Sequence, residues 1–241
     1  MKYPMHITTK TAAMVLSTMV LASAPAFAES VTATLTVTGK LSPGACNVSL
    51  VGGGSIDYGD IASANLSSSE YTALREQSRN LSVACGSLTN AYVSVTDNHA
   101  ASALADAKMK QALGSDTLAD TQVFGLGTTG EGDTAAKIGA YTIKLGRATT
   151  TDLAGGSRQQ EAVLSSVDKA TWVASSNPVY MTADGAQLYS AGGAAAGSKP
   201  EKGKTFLFPI IVKAALNNTS AMPVSSNVAL DGSATFTVSY N

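Results

Sequence analysis

Histidine, aromatic side chains and charge are all scarce in this chain. Two of its 241 residues are histidine, two are cysteine and one is tryptophan, while charged residues make up 14% and aromatic residues 6%. A net charge of −1 offers no basic excess for neutralising phosphates, which argues against nucleic acid as a partner. A serine hydrolase needs a base beside its nucleophile. His6 lies in an N-terminal leader, so only His99 remains for that role, and no G-x-S-x-G elbow is present. A metal centre is short of ligands for the same reason, and no EF-hand spacing occurs. Beyond the leader no apolar run reaches the roughly 20 residues that cross a bilayer as a helix. The sequence therefore points away from an enzyme. It offers no catalytic residue, no metal site, no cofactor and no integral membrane segment.

The leader has three parts. Lys2 and Lys10 precede an apolar stretch over residues 11–22, and Ala26-Phe27-Ala28 supplies a small-residue cleavage site. Together these read as a secretory signal peptide, residues 1–28, removed after Ala28. Losing both lysines makes the mature chain more acidic. Export also places Cys46 and Cys85 in an oxidising compartment, where an even pair reads as a disulfide.

What the chain does have is alternation. In residues 31–41, Ala33, Leu35, Val37, Gly39 and Leu41 share one parity and threonines with Lys40 the other. A period of two in a Thr/Val-rich segment is a strand with one apolar face. At the other end Ala234, Phe236, Val238 and Tyr240 alternate with Thr235, Thr237 and Ser239 before Asn241. Further strands are expected over 46–51, 55–61, 79–85, 91–96, 122–126, 137–145, 162–164, 171–174 and 205–214. Gly86 and Asn90 suggest a hairpin between two of them, and Pro209 suggests a bulge or an edge position. Ser67 to Glu70 is expected to cap one helical turn. Residues 99–120, with Met109 and Leu113, read as a short helix in part or as an extended insertion, the helix preferred, and 185–204 read as loop. Many short strands between turn signals predict an all-β sandwich with an irregular middle insertion.

Two local signals have a bland and a sharp reading. Gly125-Leu-Gly-Thr-Thr-Gly130 matches G-x-G-x-x-G, but Glu131 and Asp133 follow, so a hairpin loop is preferred to a phosphate cradle. Asp57, Asp60 and Asp97 read as turn residues, and His99 as an isolated surface histidine. Trp172 reads as a core anchor rather than a sugar platform.

The leader, the alternating segment from Ala33 to Leu41, the cysteine just beyond it, the second about forty residues on, and the terminal strand ending Tyr240-Asn241 together resemble the subunits of chaperone–usher pili. Among these the chain is similar to the larger fimbrial-like periplasmic proteins rather than to a shaft subunit. The resemblance covers both ends and the first third but not the middle, about residues 97–200. It implies an immunoglobulin-like sandwich, incomplete and completed by a donor strand. Residues 29–41 would be the donor-strand extension and 42–241 the pilin-like domain. Ala33, Leu35, Val37, Gly39 and Leu41 would face the groove of the next subunit. Cys46 and Cys85 would link the first two strands. Ala234, Phe236, Val238 and Tyr240 would line the groove and face a periplasmic chaperone, with Asn241 gripped by the chaperone's basic residues. The implied partners are that chaperone, an outer-membrane usher and neighbouring subunits. The implied location is the periplasm, then the fimbrium at the cell surface, with a role in adhesion. A second reading is a self-complete periplasmic or surface binding module whose N-terminal strand folds back into its own sandwich. A third, a secreted hydrolase, requires a cleft holding a perturbed carboxylate or His99.

Overall fold

The computed structural model describes residues 45–130, 135–175, 177–222, 224 and 227–241, all within the unit Ser42–Asn241. The signal peptide and the segment from Ala33 to Leu41 lie outside the described residues. In chain order the strands are β1 (Cys46–Val51), β2 (Thr72–Ala73), β3 (Gln77–Thr89) and β4 (Ala91–Asp97), then the helix α1 (Ala107–Ala112). There follow β5 (Phe124–Gly125), β6 (Thr128–Thr129), β7 (Ala136–Lys137), β8 (Gly139–Leu145), β9 (Thr149–Thr151), β10 (Ser157–Gln159) and β11 (Ala162–Ser166). The last are β12 (Val173–Ser175), β13 (Val179–Tyr180), β14 (Leu188–Gly192), β15 (Gly203–Leu216) and β16 (Ala234–Tyr240).

These strands form an all-β sandwich of antiparallel sheets. Sheet A runs β1-β3-β15-β8-β13, with β2, β5, β9 and β10 attached; sheet B runs β12-β11-β14-β4-β16. Alternation explains which side chains lie between them. Phe206, Phe208 and Ile210 of β15 share one parity and are at most 2% exposed. They share a core with Leu81 and Val83 of β3 and with Val93 and Val95 of β4. Two satellite clusters cover the outer faces. Met109 and Leu113 of the α1 region pack on Ala140 and Ala215 of sheet A, and Tyr92 packs with Ala162, Leu164 and Trp172 on sheet B. The helix expected around Met109 is thus present. Asp106 caps it, accepting the backbone N–H groups of Lys108 at 3.0 Å and Met109 at 3.2 Å.

Cys46 and Cys85 are bonded, and they stand opposite one another in the β1–β3 ladder. The remaining differences from the sequence reading are physical. Residues 55–61 form no strand. Ser67 does accept the N–H groups of Ser69 and Glu70, but the chain then extends into β2 and pairs with β15 instead of coiling. No hairpin joins β3 and β4: β3 stays in sheet A to Thr89 and β4 opens sheet B at Ala91, so Asn90 carries the chain between layers. Pro209 sits in a central strand. β15 pairs with β9 up to Leu207 and with β8 from Ile210, and the Pro209 carbonyl accepts from Gly146 at 2.8 Å. The missing proline N–H therefore falls where one ladder partner gives way to the next. Residues 188–192, expected as loop, are β14, buried between β11 and β4.

Two predictions follow from these contacts. The disulfide closes a loop with a sequence separation of 39; Cys46→Ala with Cys85→Ala should lower the unfolding free energy by about 4 kcal/mol, measured by chemical denaturation. The Asp106 carboxyl is pushed up by burial, yet the hydrogen bonds from the Tyr71 hydroxyl and the helix N–H groups outweigh this and hold it below its ordinary range. A depressed folded pKa stabilises above the unfolded value of about 3.9 and is lost as pH falls through the folded value. Asp106→Ala should therefore cost about 1 kcal/mol at neutral pH, and the gap to wild type should shrink in acid melts.

Candidate functional site

Both sheets end in strands whose inward rows are poorly covered. In β1 the residues Cys46, Val48 and Leu50 stand opposite Cys85, Val83 and Leu81 of β3. Val83 is wholly buried, but its partner Val48 is 43% exposed. At the far edge β16 pairs with β4 alone, Phe236 opposite Val95 and Val238 opposite Val93. Both valines of β4 are fully buried, whereas Phe236 and Val238 are only half-buried. Tyr240, on the same parity, is 43% exposed. A closed sandwich covers such rows with a further strand.

Between the sheets at this side lies a cleft of about 1350 Å³. Ile210, Val212, Ala214 and Leu216 of β15, with Tyr141 and Ile143 of β8, form its floor; Leu50 of β1 lies on one side and Ala234 and Phe236 of β16 on the other. Two irregular stretches flank it, residues 54–63 on one hand and Val224, residues 227–230 and Gly232 on the other. The first is held by its backbone. Gln77 donates to the Asp57 carbonyl at 2.6 Å and Arg79 to the Ser55 carbonyl at 3.1 Å. The second is held through Asp231, whose N–H donates to the Leu126 carbonyl at 3.0 Å.

The cleft is electrically quiet at its floor. Burial pushes the phenol of Tyr141 well above its ordinary range, and the neighbouring Asp97 charge adds to this. Burial likewise raises Tyr58, against a smaller opposing pull from the Ala214 backbone. Both phenols are neutral at physiological pH, so the floor suits an apolar occupant.

The structure brings Ala234, Phe236, Val238 and Tyr240 onto one face of β16, and the first two line the cleft. Asn241 is engaged by its own chain. Its main-chain oxygen accepts from the Asn90 N–H at 3.3 Å, and its side-chain oxygen from the Tyr92 hydroxyl at 2.8 Å. Cys46 and Cys85 anchor β1 at the opposite edge. The proposed donor residues Ala33, Leu35, Val37, Gly39 and Leu41 are outside the described residues. Sequence reading missed the floor of the cleft. The signal was the parity of Ile210, Val212, Ala214 and Leu216, which continues that of the buried Phe206 and Phe208.

The chemical readings resolve locally. The Gly125 N–H donates to Asp97 Oδ2 at 2.8 Å and the Gly127 N–H to Ser102 Oγ at 2.9 Å, so the glycine run spends its N–H groups inside the chain. A Cβ on Gly125 would lie 2.2 Å from Ser102 Oγ, which is why glycine is needed there. β6, inside this run, pairs antiparallel with β7. His99 is not isolated: its ring meets the Asp231 carbonyl. Asp57 and Asp97 do close turns, accepting the N–H groups of Gly59 and His99. Among the described residues no three His, Cys, Asp or Glu side chains are placed to hold a metal, and no helix is long and apolar enough to cross a membrane.

A family profile described as "Protein of unknown function (DUF1120)" matches residues 35–142. The match opens within the alternating N-terminal segment and runs into β8. The chain is also similar to Protein GltF of Escherichia coli (strain K12), with 28% identity over 226 residues that span 86% of this chain and 87% of that one.

An open cleft makes a measurable prediction. Phe206→Ala empties a fully enclosed site and should cost about 3–5 kcal/mol. Phe236→Ala removes a half-covered ring and should cost roughly half of that or less. Equal losses in urea denaturation would mean that β16 is covered as a core strand is.

Proposed function

We propose that this protein is a strand-accepting structural subunit of a surface fibre, exported and assembled by exchange of N-terminal donor strands in a chaperone–usher pathway. The observation that supports this most is the cleft between two uncovered edge rows. An occupant that fits must be extended, must alternate, and must be apolar on the side facing the floor. Residues 33–41 have that pattern.

The energetics favour the arrangement. Burying a large aliphatic side chain stabilises by about 1.5–3 kcal/mol. Leu35, Val37 and Leu41 in the cleft would each contribute on that scale, against the ordering entropy of the strand. The outer edge of β16 has no ladder partner among the described residues, so an added strand would also gain main-chain hydrogen bonds. Left empty, an apolar cleft beside two strand edges is an aggregation hazard, which is the reason to expect a periplasmic chaperone before assembly. In this reading the sandwich is immunoglobulin-like, Gly39 meets a narrow part of the cleft and Leu41 one end of it.

The test is to melt a variant lacking residues 29–41 with and without a peptide of residues 30–41. A peptide carrying Gly39→Leu and Leu41→Asp serves as control. The native peptide should raise the melting temperature strongly and the altered one should not. The intact mature chain should in turn form multimers that the truncated variant does not. If the truncated variant is as stable as the intact chain and indifferent to the peptide, the strand-exchange reading is lost; an intact chain that is monomeric and uses the segment in cis would be the self-complete module.

A further inference from the structure

The charges along the cleft are few, and they are ordered. Of the residues lining it only Arg79, Asp57 and Asp60 carry charge. Arg79 stands opposite Ile210 in the β3–β15 ladder, and its guanidinium donates to the Ser78 and Ser55 carbonyls at 2.9 Å and 3.1 Å. Gln77, opposite Val212, holds the Asp57 carbonyl. The chain from Ser55 to Asp57 therefore runs along β15 in the direction of Leu216, and Asp60 lies further on. Ile56, Tyr58 and Ile61 are half-buried, while Asp57 and Asp60 are exposed. Among the described residues neither carboxylate has a cation within 4.0 Å. The backbone groups of Ile56 and Tyr58, which alternate with those turned to β3, make no backbone hydrogen bond among the described residues.

β16 gives this end of the cleft a direction. Gly232, just before β16, lies so close to Tyr141 that an added Cβ would be 3.0 Å from its ring, and Tyr141 stands opposite Ala214. β16 thus starts near the Leu216 end and runs away from it. Antiparallel pairing is the more stable per residue. A strand laid antiparallel along the free edge of β16 ends where β16 begins, beside Asp57 and Asp60.

The segment offered as occupant has one basic side chain, Lys40, next to its last apolar residue Leu41. At its other end Glu29 shares its place with the amino terminus that removal of the leader would create, so the charges there offset. Lys40 is on the polar parity, and with Leu41 turned to the floor it points to the rim. Residues opposite one another on neighbouring strands have Cβ atoms about 5 Å apart, which a lysine and an aspartate span. We propose that Asp57 and Asp60 set the direction and register of the entering strand by pairing with Lys40 of another copy of the chain. A reversed strand would carry Lys40 towards Arg79 and leave both carboxylates without a counter-charge. The inference rests on the strand-accepting reading and adds to it the side chains that discriminate between strands.

The test uses intact mature chains, refolded from denaturant alone or in equal mixture, with multimers measured by size-exclusion chromatography. One variant is Lys40→Glu. The other is Asp57→Asn with Asp60→Lys, where the new amide keeps an oxygen for the Gly59 N–H that Asp57 accepts at 2.7 Å. Each variant alone sets like charges together and should yield about fivefold less multimer than the wild type. In the mixture each segment finds a cleft of opposite sign, and the yield should recover. The deficits should shrink in about 1 M salt. Circular dichroism spectra of both variants should match the wild type, so that a failed mixture counts against the pairing and not against folding. Wild-type yields from both variants alone, a mixture no better than its components, or deficits indifferent to salt overturn the inference and leave strand acceptance standing. A wild-type chain that forms no multimers removes both.

Discussion

The ladders that β15 makes with β3 on one side, and with β9 and then β8 on the other, set the position of everything else in the sandwich. The register matters because of its period of two. Moving β15 by one residue would turn Phe206, Phe208 and Ile210 out of the core and expose three of its most buried side chains. Proline is tolerated in this central strand only because the partner changes at Pro209. Beyond β3 the Cys46–Cys85 bond ties β1 into the same register. Leu50 of the inward row is thereby fixed at one side of the cleft.

The same rigidity gives the cleft its chemistry. Sheet A supplies a floor of largely apolar side chains, and burial holds the phenol of Tyr141 within it well above its ordinary range. Sheet B supplies β16, a strand bonded along one edge only among the described residues. A ligand suited to the floor gains apolar burial, and one suited to the strand edge gains main-chain hydrogen bonds. An extended peptide satisfies both at once, and a small compact molecule satisfies only the first.

How far these features could be read beforehand depends on where each strand finds its partners. β1, β4, β8 and β16 alternate clearly because one face of each meets the core, and the two cysteines marked adjoining strands. β14 was hidden. Leu188-Tyr-Ser-Ala-Gly192 has small residues and few branched ones, and its strand character comes from burial between β11 and β4. The crossing at Asn90 imitates a hairpin, since a turn residue between two alternating runs looks the same whether the chain stays in one sheet or changes layer. Residues 55–61 carry strand-like side chains, but Ser55 and Asp57 give their carbonyls to Arg79 and Gln77 side chains rather than to a neighbouring strand. At the candidate site the terminal strand was legible from its parity. The floor was legible only in part: the parity of Ile210, Val212, Ala214 and Leu216 marks an inward row, but the cleft beside it is set by strands distant in sequence.

Strand β4 shows why the two faces of sheet B are separable. Val93 and Val95 point to the core beneath β16, while Tyr92 points outward to Trp172. A period of two places these on opposite sides of one sheet, so a substitution at either face leaves the packing of the other in place. Their electrostatics diverge for the same reason. On the inner side the phenol of Tyr141 is buried, and on the outer side Lys169, Lys199 and Lys202 are exposed. The alternation separates the two sides: β4 gives Val93 and Val95 to the core between the sheets and Tyr92 to the cluster on the outer face.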